Sequence, residues 1–523
     1  MKIGIYNRSL PTLGGGERHS LSLAEHLSHN HDTTFISHEK VTPEAVNAKL
    51  NLDCSQVKFL VLPSCAARDL EKMTTWFDCF INASFQRFFP ARAAHNILMT
   101  YFPSPLGIGI SGKTKQQAAS LLKRIFMLPT LNNCSASLVC EKNEVTLHTL
   151  PALSLDLPEA KADYSIYFQI ASGHRSVGQV TAYLNDQPLQ KITLPDGGKF
   201  VACEIRIPWN VSTAPNHFLI TTEQEDPEVS DYSSALLIKE LKINRPGHLL
   251  FCRLLSLTFP DWKNRLFRLP LQIPPIKDCI DTYQTIWTIS DYSRDWIKKY
   301  WDRDSEILTP PVNVHQLYSG EKGRRILSVG RFFPGMHNKK HPVMMAAFKE
   351  MVDQGLRGWE LHLVGGAKNE KPHQRYLKKL SAESQNYPIF VHPDLSYTDL
   401  VALYSGTSIY WHACGFGENA IRNPEKFEHF GITTVESMAS GCVPVVFGQG
   451  GQTEIVQHGR NGFLWSDLNQ LIQYTWRLIR DPSLIRQLSE AALADSRRFD
   501  ITRFKSRLSD LIAAVGFPES SQR

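Results

Sequence analysis

Residues 427–465 read FEHFGITTVESMASGCVPVVFGQGGQTEIVQHGRNGFLW and contain the clearest structural pattern of the chain. The segment TTVESMAS is typical of a helix, and VPVVFG, which follows it after a Gly-Cys pair, is a short apolar run rich in β-branched residues. A helix followed directly by an apolar strand is typical of a βαβ unit. The stretch therefore predicts an α/β domain built on a parallel sheet.

The same rhythm extends upstream from this stretch. RILSVGR, WELHLVGG, IFVHP and IYWHA are predicted strands, separated by predicted helices such as HPVMMAAFKEMV and TDLVALYSG. The first hundred residues show it as well, beginning with strand KIGIYN. Between them, period-two segments such as YSIYFQIA and FVACEIRI predict six or more short strands of a β-sandwich. We expect two α/β halves with a β module inserted in the first.

These shifts in pattern set the expected domain boundaries. Residues 1–130 begin an N-terminal Rossmann-like domain, which continues in residues 245–315 together with the interdomain linker. The β-sandwich is expected at residues 131–244, with carbohydrate binding or a spacer or dimerisation role as alternatives. Residues 316–500 are expected to form the C-terminal Rossmann-like domain, and residues 501–523 a helical tail.

Composition excludes several classes of protein. The 523 residues are 42% hydrophobic and 21% charged, which excludes a disordered or coiled-coil chain. A net charge of +6 without long basic runs argues against nucleic-acid binding and suits an anionic small substrate. There is no signal-peptide pattern, no apolar run long enough to span a bilayer and no CxxC pair, so a cytoplasmic location is expected.

Two glycine-containing stretches fit phosphate binding. Gly14–Gly16 stand at the head of the first predicted helix, where bare backbone N–H groups and the helix dipole could hold a phosphate or simply form a tight turn. Gly330 and Arg331 end a predicted strand, and Lys339 and Lys340 follow. Cations at a strand end could neutralise a diphosphate, or form a solvated basic loop.

The strongest candidate site lies in the opening stretch. Gly431 lets the backbone approach a ligand at the start of a helix, with Glu428 just before that helix and Glu436 about one turn inside it. The two carboxylates could hold a sugar hydroxyl and a ribose hydroxyl on either side of the phosphates. A plain helix cap would not need the second carboxylate, nor the glycine turn GGQTE at residues 450–454.

Taken together, these motifs resemble the retaining nucleotide-sugar glycosyltransferases of family 4, including their Glu-x7-Glu motif. The resemblance covers the second half, the N-terminal GGGER and the segment WTISDYSRDWIKKYWDRDSEILTPPVNV, whereas residues 131–244 lie outside it. It implies a GT-B fold, in which two Rossmann-like domains face each other across a cleft and the C-terminal one holds most of the donor.

The resemblance also implies roles for individual residues. Arg331 and Lys339 would neutralise the donor diphosphate and, with Glu428, are the expected catalytic residues. Lys339 is preferred to Lys340 because the family's lysine stands eight residues before an Ala-Phe pair, here Ala347-Phe348. The expected donor-binding residues are Gly15, Gly16, Gly330, Arg331, Lys339, Glu428, Gly431, Ile432, Thr433 and Glu436.

Glu428 would bind the transferred sugar and Glu436 the ribose, while Gly15 and Gly16 close over the phosphates. One departure concerns Thr100-Tyr101-Phe102-Pro103, where many relatives carry a histidine at the place of Tyr101. Any help from an imidazole at the anomeric carbon would then have to come from elsewhere, with His95 and His412 as the candidates that we consider without assigning them.

Three further segments have competing interpretations. GIGISGKT at residues 107–114 matches the P-loop pattern, but no contiguous strand precedes it. Asp302-Arg303-Asp304 resembles the DxD of metal-dependent glycosyltransferases, although a solvated turn explains it better. The basic and apolar stretch 245–268 could pack on the domain or lie on a membrane surface.

The sequence therefore predicts a metal-independent retaining glycosyltransferase without a cofactor. It would move a sugar from a UDP- or GDP-sugar to a glycan or lipid-linked glycan, with no nucleic-acid partner and with peripheral membrane contact through 245–268 as an option. The alternatives are a non-catalytic glycan-binding protein on the same scaffold and a P-loop nucleoside triphosphatase, in which Lys113 would be essential.

Overall fold

The computed structural model of the chain describes residues 1–8, 15–62, 67–106, 130–131, 137–141, 144–149, 152–157, 164–172, 178–195, 199–207, 216–222, 236–244, 276–335, 338–367 and 371–515. Gly14, the P-loop-like stretch 107–114 and the basic stretch 245–268 lie outside these residues. Within the described part of the chain, no helix combines the length and the apolar character needed to cross a bilayer.

The described strands fall into four groups along the chain. The first group is β1 (Lys2–Tyr6), β2 (Asp32–Ser37), β3 (Lys58–Val61), β4 (Cys79–Asn82) and β5 (His95–Thr100). The second is β6 (Thr130–Leu131), β7 (Ser137–Glu141), β8 (Glu144–Thr149), β9 (Ala152–Leu157), β10 (Tyr164–Ser172), β11 (Gln179–Leu184), β12 (Gln187–Thr193), β13 (Val201–Ile207), β14 (Asn216–Thr222) and β15 (Leu236–Asn244). The third is β16 (Thr285–Thr288) and β17 (Glu306–Ile307). The fourth is β18 (Gly323–Val329), β19 (Glu360–Gly365), β20 (Ile389–Pro393), β21 (Thr407–His412), β22 (Val443–Phe447) and β23 (Phe463–Trp465).

Helices alternate with the strands of the first, third and fourth groups and also follow the last strand. They are α1 (Gly15–Ser28), α2 (Pro43–Leu50), α3 (Ala67–Thr74), α4 (Ile276–Ile280), α5 (Asp291–Trp301), α6 (His341–Asp353), α7 (Lys371–Glu383), α8 (Tyr397–Ser405), α9 (Ile432–Ala439), α10 (Gln452–Ile455), α11 (Leu468–Arg480), α12 (Pro482–Ser496) and α13 (Ile501–Ala514). Short 3-10 turns occur at Val314–Gln316, Pro424–Lys426 and Arg497–Phe499.

The N-terminal strands form a sheet in the order β17-β16-β5-β4-β1-β2-β3, and their described pairings are parallel. Its central strands are apolar and buried, as β1 and β4 show with Ile3, Ile5, Phe80 and Ile81 at 0% exposure. Parallel sheets covered by helices on both faces need such uninterrupted apolar strands. The βα rhythm read from the first hundred residues is thereby confirmed.

The described residues between 130 and 244 form two five-stranded sheets, in the orders β13-β10-β15-β8-β7 and β12-β11-β14-β9-β6. The described pairings in both are antiparallel. Side chains alternate between a buried and a more exposed face along β10, and its Ile166 and Phe168 share one core with Leu153 and Leu155 of the other sheet. The period-two pattern therefore correctly predicted strands here, and we call this part the β module.

The C-terminal strands form a parallel sheet in the order β20-β19-β18-β21-β22-β23. The chain therefore starts at the centre with β18, builds outward to β20, and then returns to the other side of β18 with β21. This reversal between β18 and β21 leaves a crevice at the carboxyl ends of the two strands, where open α/β sheets bind ligands. The strands and helices predicted for this half are confirmed.

The chain divides into two compact units. One contains Met1–Leu13, Leu27–Leu98 and Pro105–Gln284, and the other contains Gly14–His26, Met99–Ser104 and Thr285–Arg523. In the second unit α13 packs on α1, where the rings of His19 and Phe504 lie 5.3 Å apart and Lys505 Nζ lies 3.1 Å from Glu25. The start of the first helix thus shares a unit with the C-terminal sheet. The domain boundaries expected from the sequence stay predictions.

Candidate active site

The site is built where the strand order of the C-terminal sheet reverses. Gly330 directly follows β18, and His412 is the last residue of β21, the neighbouring strand across the reversal. Both strands end in buried residues, so their backbones are held firmly by the core beneath. Groups that leave the sheet at these two points are therefore brought together in the crevice.

Gly330 makes room for the side chain of Lys339. A Cβ atom added at Gly330 would lie 2.5 Å from Lys339 Cγ, too close for any substitution without displacement of the lysine. A Cβ added at Gly365, at the end of β19, would lie 2.0 Å from the carbonyl oxygen of Gly330. The two strand ends are thus closely packed by glycines, and Lys339 lies directly over Gly330.

Lys339, Glu428 and His412 form one cluster. The ammonium of Lys339 makes an ion pair with Glu428 Oε2, and His412 Nε2 lies 2.8 Å from the same oxygen. The side chains of Lys339, Glu428 and His412 are 17%, 14% and 1% exposed. The neighbouring lysine, Lys340, instead pairs with Glu418 at 2.8 Å. The structure therefore brings Lys339, and not Lys340, to the first carboxylate of the motif.

Mutual attraction sets the charges of this cluster. Burial alone would raise the pKa of Glu428, but Lys339 and His412 outweigh it and hold the pKa of this carboxyl well below its usual range. Burial opposes the charge of Lys339 too, yet Glu428 raises the pKa of this ammonium. Burial lowers the pKa of His412 in spite of its contact with Glu428. The cluster is accordingly a carboxylate, an ammonium and a neutral imidazole.

The N-terminus of α9 adjoins this cluster. Gly431 precedes the helix with φ at 121°, and no side chain caps the helix end. The backbone N–H of Gly451 donates to the carbonyl of Glu428 at 2.7 Å, which ties the glycine turn to this segment. Gln452 Nε2 is buried, has no hydrogen-bond partner among the described residues, and would be 2.8 Å from a Cβ at Gly431. An uncapped helix start with bare backbone N–H groups attracts anions.

Glu436 lies one turn inside α9, as the sequence predicted. Tyr404 donates its hydroxyl to Glu436 Oε2 at 3.2 Å. Burial raises the pKa of Glu436, although Arg18 of α1 and Tyr404 oppose this. Thr433, beside it, contacts the hydroxyl of Tyr410 at 2.7 Å. The second carboxylate of the motif is thus held by a tyrosine of α8 rather than by a cation of the C-terminal sheet.

The first turn of α1 also reaches this region. A Cβ at Gly15 would lie 3.1 Å from Ile432 Cδ1, at the start of α9. Tyr101 donates its hydroxyl to the carbonyl of Gly16 at 2.9 Å, and burial raises its pKa. Tyr101 therefore supports the first turn of α1. His95 lies at the opposite, amino-terminal end of β5.

The structure groups most of the predicted site residues. All ten belong to the unit that holds the C-terminal sheet. Lys339 contacts Glu428 directly. Gly330 lies close to Lys339, and Gly15 lies close to Ile432. Arg331 is exposed just beyond Gly330. The sequence did not assign His412, Tyr404 or Arg18. His412 ends a buried strand, but nothing in its sequence context distinguishes it from the other buried histidines.

The acidic pair that resembles a metal-binding motif lies on a solvated surface. Asp302 and Asp304 are 91% and 95% exposed, and both contact Lys298, at 3.1 and 3.3 Å. They form the solvated charge cluster expected from the sequence. Among the described residues, no three His, Cys, Asp or Glu side chains are grouped as a metal site would require.

Comparison with known sequences finds a family match in the second half of the chain. Residues 313–494 match the family described as "Glycosyl transferases group 1". The chain is 28% identical over 239 residues to a Dictyostelium discoideum protein named GDP-Man:Man(3)GlcNAc(2)-PP-Dol alpha-1,2-mannosyltransferase. This alignment covers 42% of this chain and 44% of that protein. It is 27% identical over 305 residues to human Alpha-1,3/1,6-mannosyltransferase ALG2, and this alignment covers 51% of this chain and 67% of the human protein. The chain thus spans less than half the length of the Dictyostelium relative.

Solved structures with a similar fold include two that align with 98% of the chain. The complex of Anabaena Alr3699/HepE with UDP and glucose superposes with a TM-score of 0.50 and 12% identity, over 98% of this chain and 100% of that chain. Sucrose-phosphate synthase from Thermosynechococcus elongatus gives a TM-score of 0.50 and 11% identity, over 98% of this chain and 99% of that chain. At such identities the likeness concerns the fold alone. With the two parallel sheets, it confirms the predicted two-domain, Rossmann-like GT-B fold.

Proposed function

We propose that the chain is a retaining glycosyltransferase that transfers a sugar from a nucleoside-diphosphate donor to a glycan or lipid-linked glycan. The observation that carries this proposal is the cluster of Lys339, Glu428 and His412 at the strand reversal, beside the uncapped N-terminus of α9. An ammonium and an uncapped helix start favour a diphosphate, while an ionised carboxylate accepts hydrogen bonds from a sugar. The names of the curated relatives make GDP-mannose the first donor to test.

In this proposal each group of the site has one task. Arg331 and Lys339 neutralise the charge that develops on the departing nucleoside diphosphate, which is where electrostatic stabilisation accelerates such a reaction. Glu428 accepts a hydroxyl of the transferred sugar, and Glu436 accepts a hydroxyl of the ribose. The acceptor attacks from the face of the leaving group, and a diphosphate oxygen takes its proton. We propose that no metal ion takes part, because fixed cations supply the positive charge.

The acceptor and the location are parts of the same proposal. Because the curated relatives are named for dolichol-linked acceptors, a lipid-linked glycan is the first acceptor to test. We further propose that the β module positions a long acceptor. A cytoplasmic location and membrane contact through 245–268 stay predictions.

A panel of nucleotide sugars tests the function. We expect the protein to release free nucleoside diphosphate from one of them and to do so equally with magnesium or with EDTA. Lys339→Met should abolish the release, while Lys340→Met, a change in the neighbouring lysine with its own partner Glu418, should keep it. Tight binding of a glycan without release of nucleoside diphosphate from any donor would instead favour the non-catalytic alternative.

A further inference from the structure

We propose that His412 is a positioning residue, whose neutral imidazole donates Nε2–H to Glu428 Oε2 and so keeps Oε1 available for a hydroxyl of the transferred sugar. This inference rests on the proposed function. Both protein partners of the carboxylate, Lys339 and His412, contact Oε2. No described residue hydrogen-bonds to Oε1. The arrangement fixes one oxygen of the carboxylate and leaves the other to a ligand.

The strand fixes where His412 stands. All six residues of β21 are buried, and the strand lies between β18 and β22 in the sheet. His412 is its last residue and only 1% of its side chain is exposed. A side chain so enclosed has little freedom to rotate, so its nitrogen is held 2.8 Å from the carboxylate before any ligand arrives.

The surroundings of the two ring nitrogens determine the tautomer of His412. Nε2 faces a carboxylate, which can only accept, so Nε2 carries the proton. Nδ1 is buried and has no hydrogen-bond partner among the described residues. Protonation of Nδ1 would bury an unsatisfied N–H and place a second positive charge beside Lys339. The surroundings of the ring therefore favour the neutral tautomer with the proton on Nε2.

The charged and titratable groups around the ring agree with this assignment. Lys339 comes from the segment before α6 and opposes a charge on His412, while Glu428, before α9, favours one. His341 of α6 is a third neighbour, and burial lowers its pKa to about 3, so it stays neutral. Cys414, after β21, lies near the same pair, and burial raises the pKa of its thiol to about 12. We therefore expect His412 to act through Glu428 and not as a general acid or base.

Two substitutions separate this role from a purely structural one. In His412→Gln the side-chain amide can replace the Nε2–H donor, whereas His412→Leu has a similar bulk and no donor. A matched control is His362→Leu, because His362 is a buried histidine of β19 that contacts a glutamate, Glu360, at 3.0 Å outside the site. The probes are GDP and GDP-mannose, or UDP and UDP-glucose if those are turned over, and each is titrated into every variant.

We expect His412→Leu to lower kcat/KM and the affinity for the nucleotide sugar about tenfold, as for loss of a hydrogen bond to a charged group. The affinity for the nucleoside diphosphate alone should change less than about twofold, because that part of the donor does not touch Glu428. His412→Gln should recover most of the loss, and the control should match the wild type. The pH profile of kcat/KM should be the same in wild type and His412→Gln.

Other results overturn the proposal. An equal loss of affinity for nucleoside diphosphate and nucleotide sugar would show a structural role, and disappearance of one limb of the pH profile in His412→Gln would show a proton-transfer role. Nitrogen chemical shifts of ¹⁵N-histidine-labelled wild-type protein give an independent test, since an imidazolium at His412 near pH 7 contradicts the neutral tautomer. Failure of the wild type to release nucleoside diphosphate refutes the proposed function itself, whereas turnover with an unaffected His412→Leu variant refutes only this inference.

Discussion

Replacing Lys339 by methionine should destabilise the C-terminal domain, because it leaves the carboxylate of Glu428 buried without its cation. Lys339 and Glu428 form an ion pair in which the side chains are 17% and 14% exposed. Methionine keeps most of the apolar volume of the lysine stem over Gly330. The substitution therefore removes the charge while disturbing the packing very little.

The magnitude follows from this burial. Removing one partner of a fully buried ion pair costs about 3–5 kcal/mol. His412 continues to donate to Glu428 and some solvent reaches the pair, so we expect a loss of about 2–3 kcal/mol. In a domain of this size 1 kcal/mol corresponds to about 2–4 °C in Tm, which gives a fall of roughly 4–12 °C.

The loss should depend on pH. In the wild type the pKa of Glu428 is held well below its usual range, so the stability from this pair is present at neutral pH and is lost only as the pH falls through that lowered pKa. Without Lys339 the desolvated carboxyl has a higher pKa and protonates in milder acid. The difference in Tm between wild type and Lys339→Met should therefore shrink as the pH falls from about 7 toward about 5.

Thermal denaturation of a double-mutant cycle measures this coupling. The set is wild type, Lys339→Met, Glu428→Gln and the double variant, with Lys340→Met as the control, since Glu418 keeps Lys426 at 2.9 Å when Lys340 is removed. We expect the loss of stability in the double variant to be smaller than the sum of the losses in the two single variants. Additive losses, or an unchanged Tm in Lys339→Met, would refute the coupling that we describe.

Three further changes probe the same region. Gly330→Ala should displace Lys339 and weaken nucleotide-sugar binding at least tenfold in calorimetry, as a Cβ there meets the lysine at 2.5 Å, whereas Gly366→Ala, with its nearest contact at 3.7 Å, should not. Burial raises the pKa of Glu436, so stability falls as the pH rises through that pKa, and Glu436→Gln should flatten this fall in thermal scans between about pH 5 and pH 8. Tyr101→Phe removes a hydrogen bond to the first turn of α1 and should lower stability by about 1 kcal/mol in the same scans; an unchanged Tm would contradict that role.

The local pattern of the sequence was enough to predict the elements of the C-terminal domain. Its strands are short apolar runs and its helices carry regular apolar spacing, so each can be identified without its neighbours. The order of the strands, however, is not local. Glu428 and Lys339 are 89 residues apart, and their contact depends on β18 and β21 lying side by side. Sequence reasoning could name both residues but could not derive their pairing from periodicity.

His412 and Tyr404 show a second limit. A single histidine in an apolar strand usually has a structural role, so its sequence context did not distinguish it from other buried histidines. Tyr404 lies in α8, 32 residues before Glu436, and their hydrogen bond joins α8 to α9. Partners of this kind are determined by tertiary packing, which one sequence does not display.

The packing of α1 shows a third limit of sequence reasoning. Its sequence predicts a helix, which is confirmed from Gly15 onward, but the sequence does not predict that this helix shares a unit with the C-terminal sheet. Contacts that hold it there come from α13, almost five hundred residues away, as in the hydrogen bond between His26 and Ser509 at 2.8 Å.

The most direct test of the account is a crystal structure of the protein with GDP or UDP bound. We predict that the diphosphate lies at the reversal between β18 and β21, within hydrogen-bond distance of Arg331, Lys339 and the backbone N–H groups at the start of α9. A nucleotide bound elsewhere, such as on the 107–114 stretch, with these groups untouched, would contradict the account.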